Sequence, residues 1–204
     1  MLGISDFGAY CAAILVFLAL PGPGTFALLT STAKGGLRGG VAATFGVIVG
    51  DQVLLWLAVA GVAALLATHP TVFQGVQLLG ALYLGWIGLR LLLARPGGAS
   101  GQVRIANGHY GRQAFLITLL NPKAIVFYMA FFPLFIDPAT HRGLVTFVAM
   151  AATIATITLV YGLLLCSFAQ AIGTRVRAHR RLAQALERLT GIFLIGFGIR
   201  LGSQ

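Results

Sequence analysis

Two charged residues lie deep within apolar sequence and set the chemistry open to this chain of 204 residues. Asp51 falls ten residues into the run Val41 to Leu66, about 15 Å deep at the rise of a helix. Lys123 falls nine residues into Ala114 to Ile136, roughly 14 Å deep by the same geometry. A carboxylate at that depth is costly to keep charged, so Asp51 is a candidate proton carrier, or else a structural acid bonded to nearby broken backbone. The two residues can pair. A static pair is structural, whereas a pair that opens when substrate or proton arrives is a switch, and the residues leave both readings open.

Two proline motifs must position these charges. Leu20-Pro21-Gly22-Pro23-Gly24-Thr25 interrupts the run Phe7 to Thr32, where two prolines remove backbone donors and two glycines loosen the chain. Asn121-Pro122 interrupts the second site, since Asn is a favoured N-cap and Pro a favoured first helical residue. Broken backbone at membrane depth is accepted only where protein or a water-filled cavity surrounds it. Two half-helices starting at Gly22-Pro23 and Asn121-Pro122 offer free N–H groups and positive dipole ends to one cavity, a site suited to a carboxylate. Pro21, Gly22, Pro23, Gly24, Asn121, Pro122 and Lys123 are therefore the candidate substrate-binding residues, with Asp51 for proton coupling. Phe26, Trp56, Tyr83, Phe127 and Tyr128 are candidate cavity walls.

The elements that hold these motifs are membrane helices. With 58% hydrophobic and 9% charged residues, the chain has too few polar groups to cover a soluble globule. Six apolar runs follow in order: Phe7 to Thr32, Val41 to Leu66, Val72 to Leu93, Ala114 to Ile136, Leu144 to Ile172 and Leu186 to Leu201. Five exceed the roughly 20 residues a crossing needs, and Arg188 and Arg200 extend the shorter sixth by snorkelling. The expected fold is an all-α integral membrane protein of six transmembrane helices, with helices 1 and 4 broken at the proline motifs.

The net charge of +10 follows the loops. Lys34, Arg38, Arg90, Arg95, Arg104, Arg112, Arg175, Arg177, Arg180, Arg181 and Arg188 lie on one side, so the positive-inside rule places both termini outside the cytoplasm. This distribution answers to a membrane and not to nucleic acid. The first apolar run reads as a span and not as a cleavable signal. Cys11 and Cys166 are isolated apolar fillers, and His69, His109, His141 and His179 are scattered over four loops, so neither a metal site nor a cofactor is expected.

Residues 95–112, rich in Gly and Arg, separate a first half, 1–94, from a second, 113–204. Gly80, Gly85 and Arg90 of the third run align with Gly191, Gly196 and Arg200 of the sixth when one gap is allowed, and the two proline breaks fall at similar offsets. With three spans per half, the second enters from the opposite side, giving two inverted three-helix repeats of the kind secondary transporters use. Gly46 and Gly50 form a G-x-x-x-G that admits a close helix neighbour, within the chain or between two copies of it.

Taken together, Pro21-Gly22-Pro23-Gly24, the glycine turn through Gly39, Gly46 with Gly50-Asp51, and Asn121-Pro122-Lys123-Ala124 followed by Phe131-Phe132-Pro133 resemble the lysine exporter and homoserine/threonine exporter (LysE/RhtB) family across nearly the whole chain. The resemblance implies a bacterial inner-membrane exporter of amino acids or close analogues, driven by the proton gradient. On that reading the substrate carboxylate docks near Pro23 and Asn121 while its ammonium competes with a proton for Asp51, and such competition yields antiport. The alternative is a metal or other cation efflux protein of related architecture. An intramembrane hydrolase is disfavoured because no span holds a histidine, and a thiol-redox carrier because the cysteines lie away from the breaks.

Overall fold

The computed structural model describes residues 3–4, 6–20, 22–68, 89, 105–136 and 143–172. Helices are numbered here in chain order among these residues. α1 spans Phe7–Ala19, α2 Pro23–Thr68, α3 Tyr110–Leu119, α4 Pro122–Val126 and α5 Leu144–Ile172. A π-helical turn, Phe127–Phe131, and a 3-10 turn, Phe132–Phe135, continue α4. Among the described residues there are no strands, only an isolated antiparallel bridge between Ile4 and Ile136.

Local chemistry explains where these helices begin and bend. Asp6 caps α1 by accepting a hydrogen bond from the Ala9 amide at 2.9 Å. α2 folds back on itself at Gly36, the one non-helical residue within it, at φ 61 and ψ −161. A side chain there would be strained, so glycine permits the reversal. The glycine turn expected through Gly39 is thus confined to one residue, with helix on both sides. α3 begins at Tyr110, inside the stretch read from sequence as connecting loop, behind His109 in the left-handed region at φ 50.

α2 is the central element, and α3 and α5 pack on it. Its contact with α3 is close because two glycines permit it. A Cβ on Gly46 would overlap the Gly111 carbonyl, and one on Gly50 would lie 2.8 Å from Thr118 Cβ. In lipid, where hydrophobic exclusion gives little drive between helices, such close approach supplies the packing. Two buried clusters result. One gathers Tyr10, Ile14, Leu55, Tyr128, Phe132 and Met150; the other gathers Leu28, Ala43, Val47, Ala114 and Cys166.

By length and composition Pro23–Gly61 and Leu144–Ala171 are apolar helix of membrane-crossing length, the first divided into two arms by the reversal at Gly36. Large apolar side chains on them face outward, among them Phe45, Leu57 and Phe168, as a lipid-facing surface requires. The third run (apart from Leu89), the sixth run and the glycine correspondence between them lie outside the described residues.

Candidate functional site

The first break ends α1 at Ala19, and Leu20 turns to extended geometry at φ −63 and ψ 117 before α2 restarts at Pro23. A helix that stops at this depth leaves its last carbonyls without intrahelical partners. Lys123 supplies them from across the molecule. Its Nζ donates to the Phe17 carbonyl at 2.6 Å and to the Leu20 carbonyl at 2.9 Å. The same ammonium lies 4.4 Å from the centroid of the Phe17 ring. Phe17 is in turn stacked on Phe127, with centroids 4.1 Å apart. A cation at a helix C-terminus also complements the macrodipole.

The second break is closed by its own residues. α3 ends at Leu119, the Asn121 amide donates to the Thr118 carbonyl at 3.1 Å, and Asn121 Oδ1 accepts from the Lys123 amide at 3.1 Å. Pro122 then occupies the first helical position, where its missing N–H costs nothing. The short α4 and the π turn that follows carry Lys123 and Tyr128 on one continuous segment.

Between the breaks lies a cavity of about 40 Å³. That volume fits on the order of three water molecules. Phe17 and Leu18 come from the end of α1; Gly22, Gly24, Thr25 and Leu28 from the first break and the α2 arm after it. Val47 and Asp51 come from the second arm of α2, Thr118 and Asn121 from the second break, and Thr158 and Tyr161 from α5. Lys123 and Ala124 complete the wall. The cavity therefore draws on both buried clusters.

Asp51 is 2% exposed. Tyr128 hydrogen-bonds its side chain from outside the cavity, while carboxylate Oδ2 is sealed and has no partner among the described residues. Asp51 and Lys123 face the same cavity and act on each other electrostatically, but they form no ion pair within 4.0 Å. Two of the lysine's donors go to the Phe17 and Leu20 carbonyls instead.

Of the residues singled out in the sequence, Gly22, Gly24, Asp51, Asn121 and Lys123 line one cavity. Pro23 and Pro122 start the two half-helices without lining it, and Pro21 and Tyr83 lie outside the described residues. Four of the expected aromatic walls are placed elsewhere. Phe127 and Tyr128 are buried behind the cavity in the cluster around Tyr10, and Phe26 is half-buried away from it. Trp56 is 37% exposed; five residues beyond Asp51, it sits about 140° round the helix from the cavity face. Thr25, Thr118, Thr158 and Tyr161 were not apparent from composition. The signal for the last two is polar residues at i and i+3 within an apolar run, which share a helix face.

The chain matches the family model described as LysE type translocator over residues 15–204. It is 34% identical over 205 residues to the Leucine efflux protein of Salmonella choleraesuis (strain SC-B67), covering 98% of this chain and 96% of that one. The Leucine efflux protein of Salmonella typhi matches at the same identity and coverage. The Uncharacterized membrane protein PA4757 of Pseudomonas aeruginosa is 33% identical over 209 residues, 99% of this chain and 97% of its own. No solved structure gives a significant match. With broken helices around a buried acid and a family match over most of its length, the chain belongs to the LysE-type translocators, and is a membrane transporter and not an enzyme.

Proposed function

We propose that this protein exports amino acids, or close analogues, across the bacterial inner membrane in exchange for protons, with both termini on the non-cytoplasmic side. The observation that carries the proposal is a sealed carboxylate, Asp51, in the wall of a cavity that also meets both helix breaks. The relatives named as leucine efflux proteins support an amino acid as cargo. Phe17, Leu18, Leu28, Val47 and Ala124 give the cavity an apolar side, which suits a neutral branched side chain.

An amino acid presents a carboxylate and an ammonium, and the cavity has a complement for each. Lys123 has three N–H donors, two of which are engaged by α1, so one remains for a substrate carboxylate. Gly24 and Thr25 lie in the first turn of the α2 half-helix, where N–H groups lack intrahelical acceptors. Asp51 takes either the ammonium or a proton. Because one carboxylate serves both, proton entry releases substrate and substrate entry releases the proton, which couples the two flows in opposite directions. The cavity must widen for an amino acid to enter, and the two breaks are where the backbone has the fewest helical bonds to resist it.

The test is Asp51→Asn in everted membrane vesicles carrying an imposed proton gradient. Leucine transport should fall to the level of vesicles without the protein, and leucine-evoked dissipation of the gradient should vanish with it. Unchanged gradient-driven transport would remove Asp51 from the mechanism.

A further inference from the structure

We propose that Thr118 and Thr158 are substrate-recognition residues, whose hydroxyls join Asp51 in receiving the ammonium group of the transported amino acid. The inference rests on the export reading above and assigns part of its binding site.

Four helical threonines elsewhere in the molecule share one habit. A helical threonine ordinarily returns its hydroxyl to the carbonyl four residues back. Thr32 donates to Leu28 at 2.8 Å, Thr44 to Gly40 at 2.9 Å, Thr153 to Ala149 at 2.8 Å and Thr156 to Ala152 at 2.8 Å. Thr118 and Thr158 do not follow the pattern, although Thr158 shares α5 with Thr153 and Thr156. Both are almost fully buried, at 2% and 1% exposure, and neither hydroxyl oxygen has a partner among the described residues.

A buried hydroxyl without a partner is unfavourable, so its persistence calls for an explanation. Of the four residues that carry a buried side-chain oxygen without a partner among the described residues, three line one cavity: Thr118 and Thr158, each through its hydroxyl, and Asp51 through Oδ2 of its carboxylate; the fourth, Ser31, does not. The three that do come from three elements, α3, α5 and the second arm of α2. Thr118 has its carbon side against Gly50, which has no side chain to compete for the space. An ammonium group has three N–H donors, and one carboxylate oxygen with two hydroxyl oxygens is an acceptor set of matching number and sign. Lys123 and the α2 first turn lie elsewhere on the same wall to take the carboxylate.

The experiment uses full-length protein in liposomes, with leucine as probe. Thr118→Val and Thr158→Val keep the side-chain shape and remove the hydroxyl. Each should raise the KM for leucine about tenfold with kcat changed less than twofold. In detergent without substrate, the melting temperature should stay level or rise, because an unpartnered polar group has been removed. Thr118→Ser and Thr158→Ser, which retain the hydroxyl, should restore KM. Thr156→Val, outside the cavity, should leave it unchanged. Against 2-hydroxy-4-methylpentanoate, which carries a hydroxyl in place of the ammonium, wild-type preference for leucine should shrink about tenfold in either valine variant. An unchanged KM, an equal loss for both compounds, or valine variants that no longer fold would each overturn the assignment. If wild-type protein moves no amino acid, the export reading itself fails; if it does and only the valine variants behave as wild type, the fault lies with the hydroxyls alone.

Discussion

The two helix breaks solve the same problem in different ways. At the second, Asn121 accepts from the amide two residues on, so the interruption is closed within a few residues of chain. At the first, the Phe17 and Leu20 carbonyls are met by a side chain more than a hundred positions away, Lys123. One break is therefore autonomous and the other depends on its neighbour. Lys123 belongs to both, with its backbone in the second and its ammonium in the first. A single residue therefore ties the two breaks together.

The largest expected effect on this comparison comes from Lys123→Met, which keeps much of the stem and removes the donor. Loss of two charge-assisted hydrogen bonds to the α1 carbonyls should destabilise the protein by about 3–5 kcal/mol, read as a fall in melting temperature in detergent. Lys123→Arg should recover part of it. If the methionine variant melts with the wild type, the first break does not depend on the second.

Asn121→Ala should cost about 1 kcal/mol, the ordinary worth of an N-cap, because its bond is local. Combining it with Lys123→Met should depart from additivity by about 0.5 kcal/mol or more, since the cap and the ammonium act on one residue. Strict additivity would mean that the two closures are independent. The smallest effect is expected for Gly22→Ala. A Cβ there would stand 3.5 Å from Lys123 Cδ and 3.6 Å from Nζ, ordinary contact distances, so stability should change by no more than about 0.5 kcal/mol. A severe loss would show that the lysine has no freedom to adjust.

Both breaks were legible as residue types, because proline and glycine act through the backbone at their own positions. The Asn121 cap was legible for the same reason: donor and acceptor are two residues apart. The burial of Asp51 followed from its depth in apolar sequence, whereas the cavity it shares with Lys123 came from the fold. The expectation that these two charges pair was open, and the folded protein shows the lysine bonded to carbonyls instead. Backbone carbonyls are the same in every residue, so no sequence pattern could mark Phe17 and Leu20 as partners. Trp56 illustrates a different limit, since an apolar run shows that a helix exists but not which of its faces meets the cavity.

The sequence by itself determined the membrane class, the two interruptions and the two ionisable residues set within apolar runs, because these depend on composition and on chemistry local to each position. Tertiary structure alone decided what those features meet. Glycine contacts at Gly46 and Gly50 fix the approach of α3 to α2, and that approach sets Thr118 and Asp51 around one cavity, with Thr118 Oγ1 and Asp51 Oδ2 unpaired among the described residues. Such pairings depend on the distance and rotation between helices remote in sequence, which only packing in three dimensions establishes.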